Sequence, residues 1–276
     1  MNPHVVWNVW RRIMKETSLQ NALFDNYNGE CDLDSLGLSN EEKVVAKYYA
    51  EHSEQAKWPV VNYRYRLVNS FLNALESGGA PLVLRSLLAK KVDVSELGAQ
   101  FLDTQGWKDY GPYVYHYCVD ALDFLLSSQV SKYPKGFRQL IGLEKCVAEL
   151  MIRLSDLKTN YLKDSLLLQQ LPFAIHFKSD VKISEWLRDK STLGISEPEQ
   201  GVEHFLVYMP DMTEVHRFTL LTPRAAELYS VLKTPCCFSA LPELLEEKGF
   251  KSHTENDVTY LKMLASYQAI HIPDGL

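Results

Sequence analysis

The order of elements in the last quarter of the chain most constrains its fold. From His204 to Asp274 it reads HFLVYMPDMTEVHRFTLLTPRAAELYSVLKTPCCFSALPELLEEKGFKSHTENDVTYLKMLASYQAIHIPD. His204–Met209 and Val215–Leu221 alternate in polarity around Pro210-Asp211-Met212, which predicts a hairpin. Thr222 then supplies an N-cap and Pro223 a first helical turn. Helices are expected over 223–233, 238–248 and 254–269, the last opened by a Thr254/Asp257 capping pattern. A strand edge beside a helix can hold an extended peptide, because its unpaired N–H and C=O groups accept another strand.

The 276 residues suffice for one large domain or two ordinary ones. With 46% hydrophobic and 23% charged residues, the balance is that of a globular chain with a real core. The formal net charge of −6 leaves nucleic acid as an unfavoured partner unless basic residues cluster locally. The five cysteines, at 31, 118, 146, 236 and 237, form no CxxC and no paired framework, as in a reducing compartment. No signal-peptide pattern opens the chain, and no apolar run is long enough for a membrane span. The expectation is a soluble, cytoplasmic protein.

Residues 1–165 read as a helical domain and 166–276 as a smaller module, giving an α+β, mostly α fold. Val5, Val6, Val9, Trp10 and Ile13 share a face of a first helix. Ser39 with Glu42 forms a capping box opening a helix over 40–52. An amphipathic helix follows over 60–76, ended by Gly78-Gly79, and Pro81 starts a short helix to Lys90. Further helices are expected over 113–127 and 137–154, the latter with Leu140, Leu143, Val147, Leu150 and Leu154 on one stripe. Pro172–Phe177 reads as a strand, Ile183–Leu187 as one helical turn, and 188–201 as a surface loop or linker.

The hairpin HFLVYMPDMTEVHRFTLL, the turn-in TPRAAELYSVL, the helix SALPELLEE and the final ENDVTYLKMLASYQAI together resemble the PqqD-like fold. That winged-helix-like module is the precursor recognition element for ribosomally made, post-translationally modified peptides, known as RiPPs. The resemblance implies a peptide added to the outer strand at Val215, His216, Arg217, Phe218 and Thr219. It places Tyr260, Leu261, Met263, Leu264 and Tyr267 on the flanking helix wall. On their own, Leu261, Leu264 and Phe218 read as plain core rather than as a peptide wall.

The stretches KWPVVNYRYRLVNSFLNALESGGAPLVLRSLL and QGWKDYGPYVYHYCVDALDFLL are rich in aromatic residues. Taken with the tail, they make the chain similar to the TglI-like partner subunits of multinuclear non-haem iron-dependent oxidases. The resemblance implies a non-catalytic chain without a cofactor of its own. Such a chain pairs as a heterodimer with a TIM-barrel oxidase that holds the iron, and presents the precursor peptide's C-terminal residue. In 3-thiaglutamate biosynthesis that residue is a cysteine. Trp58, Tyr63, Arg64, Tyr65, Arg66, Trp107, Tyr110, Tyr113 and Tyr115 are the candidate partner interface, since Tyr, Trp and Arg are enriched at contacts. Several of them also suit a helical core. Arg64 and Arg66, two apart, point different ways on a helix, so one can pair with an internal carboxylate while the other is exposed.

Two other classes compete. His116, Asp120 and Asp123 fall on one helix face at i, i+4 and i+7. With Glu144 or Glu149 they would make a helical-bundle metal site, although the paired Glu-x-x-His signature is absent. A winged-helix transcription regulator would need a recognition helix, yet the last helix carries Lys262 as its only basic residue. Walker A, GxGxxG, GxSxG and HExxH motifs are all absent. Cys236 and Cys237 are adjacent, a poor zinc pair.

Overall fold

A computed structural model describes residues 2–25, 33–105, 108, 110, 114–128, 134–157, 166–193, 195–209 and 215–273. Its elements are α1 (Pro3–Lys15), α2 (Thr17–Phe24), α3 (Asn40–Glu51), α4 (Ser53–Ser77), α5 (Pro81–Ala89), α6 (Val94–Thr104), α7 (Val114–Ser128) and α8 (Lys135–Ser155). There follow β1 (Gln169–Gln170), β2 (Ala174–Val181), α9 (Ser184–Arg188), β3 (Gln200–Tyr208), β4 (Arg217–Leu221), α10 (Pro223–Val231), α11 (Leu241–Glu247), α12 (Asp257–Ser266) and β5 (Ile270–His271). The chain is thus α+β and mostly helical. It forms two units, Met1–Ala74 with Val92–Pro112, and Leu75–Lys91 with Tyr113–Leu276. The division differs from the expected 1–165 and 166–276. The helices α5, α7 and α8 belong with the sheet, because α8 supplies the apolar surface on which β2 and β3 pack.

In the first unit, Ser39 caps α3. Its hydroxyl accepts from the Glu42 amide while the Glu42 carboxylate accepts the Ser39 N–H, satisfying two donors that the helix leaves unpaired. Val9, Ile13, Leu19, Leu23, Val45 and Ala46 form the core of this unit. Arg64 is buried on α4. Its guanidinium donates to the carbonyls of Met14 and Lys15, which end α1, and to Thr17 Oγ1 and Asp103 Oδ1. The helix α6 is packed tightly: a Cβ at Gly98 would come 2.9 Å from the Val68 carbonyl oxygen.

In the second unit, the predicted stripe of α8 is the core. Leu140, Leu143, Val147, Leu150 and Leu154 are all buried. Opposite them lies an antiparallel sheet in the order β2-β3-β4. Phe177 pairs with Phe205 and Ile175 with Val207. The Phe177 ring lies against α8, where a Cβ at Gly142 would come 2.6 Å from its Cε2, so this side of the sheet faces α8. Alternation turns Ala174, Leu206, Tyr208 and Leu221 the other way, into a second core shared with α10 and α12. The Tyr229 hydroxyl of α10 donates to the Ala174 carbonyl at 2.9 Å and ties that helix to β2.

The strand expected over 172–177 spans Ala174–Val181 instead, and the segment 188–201 is the expected surface loop, exposed over most of its described length but anchored at two points. Leu193 is buried, and Pro198 and Trp186 crowd Gly136 at the start of α8. Before β2, the residues Leu168–Leu171 thread into the module. Leu168 and Cys236 exchange backbone hydrogen bonds, Gln170 N donates to Leu232 O, and β1 pairs antiparallel with β5.

Candidate functional site

The outer strand β4 pairs with β3 through Tyr208↔Arg217, Val207↔Phe218, Leu206↔Thr219, Phe205↔Leu220 and His204↔Leu221. Among the described residues no strand lies on its other side. Of the five residues expected on this edge, Arg217, Phe218 and Thr219 lie in β4, while Val215 and His216 precede it. Val215 is exposed, and the His216 ring meets the Phe218 ring edge-on at 5.4 Å.

The helix α12 follows its own periodicity. Asp257, Leu261 and Leu264 face the core, and Tyr260, Met263 and Tyr267 fall together on one half-exposed flank. Just past the end of α12, the Tyr267 ring lies 4.7 Å from the ring of Tyr208, the residue opposite Arg217. The five expected wall residues therefore separate. Tyr260, Met263 and Tyr267 offer surface. Leu261 and Leu264, fully buried against α10, are corrected to core, because residues three apart on this face are already committed to packing.

The first unit carries the other predicted surface. Trp58 is 72% and Tyr65 64% exposed on α4, with Tyr63 and Arg66 also exposed. Trp10 stacks on Trp7 at 5.0 Å and meets Tyr63 at 5.5 Å. Beside them an open cleft of about 490 Å³ is lined by Pro3, Val6, Trp7, Trp10 and Tyr49. Arg64 is corrected from interface to interior, since it ends α1 and pairs with Asp103. Tyr110 is half-buried under the Lys108 ammonium, and Tyr115 is half-buried on α7 of the second unit. Trp107 and Tyr113 lie outside the described residues.

The metal alternative meets a different arrangement. Asp123 pairs with Lys145 at 2.6 Å, and His116 and Glu149 are exposed. Glu144 is buried and accepts the amide hydrogens of Leu82 and Val83, so it caps α5, whose own N-cap, Ala80, has no side-chain acceptor. Burial pushes the Glu144 carboxyl up to about 8, against the lowering effect of those two amides. Among the described residues no three His, Cys, Asp or Glu side chains converge as metal ligands.

Sequence reasoning passed over the pair His176 and His204. They lie diagonally across β2 and β3, with Nε2 and Nδ1 3.0 Å apart. Burial and the neighbouring His204 bring His176 down to about 4. Period-two alternation of both strands, once registered, puts the two on one face, so only the missing register hid them. Compared with known proteins, the chain matches no family model and no curated sequence. No helix among the described residues is long and apolar enough to cross a membrane.

Proposed function

We propose that this chain is a non-catalytic partner that binds a ribosomally made precursor peptide. It presents the peptide's C-terminal residue to an iron-dependent TIM-barrel oxidase. The single observation that carries the reading is the outer strand β4, open on one side among the described residues and followed directly by α10, α11 and α12, with Tyr267 at the end of α12 against Tyr208 of β3. A peptide strand on that edge would gain main-chain hydrogen bonds from β4 and side-chain contacts from the Tyr and Met flank. In this reading the module is winged-helix-like, and the exposed Trp58, Tyr63, Tyr65 and Arg66 dock the barrel subunit. The iron and a cysteine-directed oxidation of the peptide belong to that partner.

The test is fluorescence anisotropy of a labelled synthetic peptide, extended and ending in cysteine, titrated with the full-length protein. Binding is expected, and Met263→Asp is expected to weaken it by about tenfold or more, because a charge on the flank must be desolvated. No binding by the wild type, or unchanged binding by the variant, contradicts the reading.

A further inference from the structure

His176 and His204 stand on the side of the sheet that packs against α10, in line with Ala174 on β2 and Leu206 on β3. They are diagonal neighbours, because His204 pairs directly with Lys178. Nε2 of His176 and Nδ1 of His204 are 3.0 Å apart, the ring planes differ by 13° and the centroids lie 5.2 Å apart. Two rings so nearly coplanar, with their nitrogens facing along the line of centroids, aim both nitrogens at one point between them. Both rings are half-buried, so an ion reaches them from solvent.

We infer that His176 and His204 form a two-coordinate site for a soft monovalent transition-metal ion, Cu(I). A two-coordinate ion takes its ligands from opposite sides, which is how these nitrogens stand. A tetrahedral ion such as Zn²⁺ needs lone pairs that meet at about 109°, and two further ligands. Among the described residues no third His, Cys, Asp or Glu joins the pair. Glu227, whose charge acts on His204, is held by Arg224 at 3.1 Å. Charge selects in the same direction. Lys178 lies opposite His204, and Lys178 and Lys233 both act on His176, so a dication meets more repulsion than a monocation. With each nitrogen about 2 Å from the ion, the rings part by about 1 Å from their hydrogen-bonded separation. The hydrogen on the donating nitrogen passes to that ring's other nitrogen, so both imidazoles stay neutral and no electron is transferred.

Anaerobic titration with Cu(I), buffered by a chromophoric chelator, tests this on the full-length protein. Its accessible thiols are alkylated first, since thiolates compete for the same ion. The wild type is expected to hold an additional Cu(I) per chain compared with His176→Gln or His204→Gln. X-ray absorption of the wild-type copper is expected to show a two-coordinate ion with nitrogen neighbours only. Equimolar Zn²⁺ is expected to leave that copper in place. Equal copper in the wild type and in a variant of unchanged circular dichroism overturns the inference. So does displacement by Zn²⁺, or a spectrum with sulfur neighbours or four ligands. The spectrum and the displacement are read on the wild type alone, and they decide the matter even if neither variant folds.

Discussion

His176 and His204 face each other edge to edge across two strands. Their nitrogens are 3.0 Å apart, their ring planes 13° apart and their centroids 5.2 Å apart. The nitrogens therefore meet nearly along the line joining the rings, which suits one shared proton and leaves no room for a second. Lys178 on β2 and Lys233 beyond α10 add positive charge, Glu227 on α10 opposes it, and Tyr229 edges the His176 ring. With His176 brought to about 4, against an ordinary value of 6.5, the unfolded chain binds more protons between these limits. Stability is present above pH 6.5 and lost as pH falls toward 4. The loss is about 1–2 kcal/mol once solvent screening of the partly exposed ring is allowed for. Urea unfolding of the wild type and His176→Gln across this window checks it, and the variant should show a flatter dependence.

Glu144 acts in the opposite direction. Raised to about 8 from an ordinary 4.5, it takes up a proton on folding, so its contribution is full below pH 4.5 and lost as pH rises through 8. Glu144→Gln keeps an oxygen for one of the Leu82 and Val83 amides while the other faces its NH2 group, so it should remove that alkaline loss at a cost of about 1 kcal/mol. Glu144→Ala leaves both amides unsatisfied and should cost about 1–3 kcal/mol at all pH values. Thermal unfolding at pH 5 and pH 9 separates the two.

The Arg224–Asp257 pair locks α10 to α12. Two guanidinium nitrogens reach the carboxylate at 2.8 and 2.7 Å, and Asp257 also accepts from Thr254 at the start of α12. Burial works to raise Asp257, but Arg224 and Thr254 outweigh it and hold it at about 2. Its contribution is present above pH 3.8 and lost as pH falls through 2. Asp257→Ala removes the bidentate partner of Arg224, leaving it only the Glu227 carboxylate at 3.1 Å, and should destabilise by roughly 2 kcal/mol. Asp257→Asn should recover part of that, as read by urea denaturation.

Arg64→Lys should be almost as damaging as Arg64→Met, by roughly 2–4 kcal/mol. An ammonium cannot span the Met14 and Lys15 carbonyls, Thr17 and Asp103 at once. Near-wild-type stability of the Lys variant would show that charge alone, without the fork, holds this junction.

Elements with strong local signals were legible in the sequence. Ser39 and Glu42 gave the start of α3, Thr222-Pro223 gave the start of α10, and the stripe of α8 gave its core. Others were hidden by residues whose reason is tertiary. The helix α6, for which no element was expected, runs through Gly98, where Val68 leaves no space for a side chain. The amphipathic stripe over 60–76 marks only part of α4, which begins at Ser53 and runs through Pro59. Of the candidate site, composition and period pointed to α12, but separating Tyr260, Met263 and Tyr267 from Leu261 and Leu264 requires knowing which face packs against α10. Neither the His176–His204 contact nor the capping of α5 by Glu144 has a local signature, since 28 and 62 residues separate the partners.

The most direct test is co-expression and co-purification of this chain with an iron-dependent TIM-barrel oxidase and a precursor peptide ending in cysteine, with iron counted in each fraction by mass spectrometry. The account predicts that the chain travels with both and that iron follows the barrel. A chain that purifies alone with stoichiometric metal, and binds neither, would contradict it.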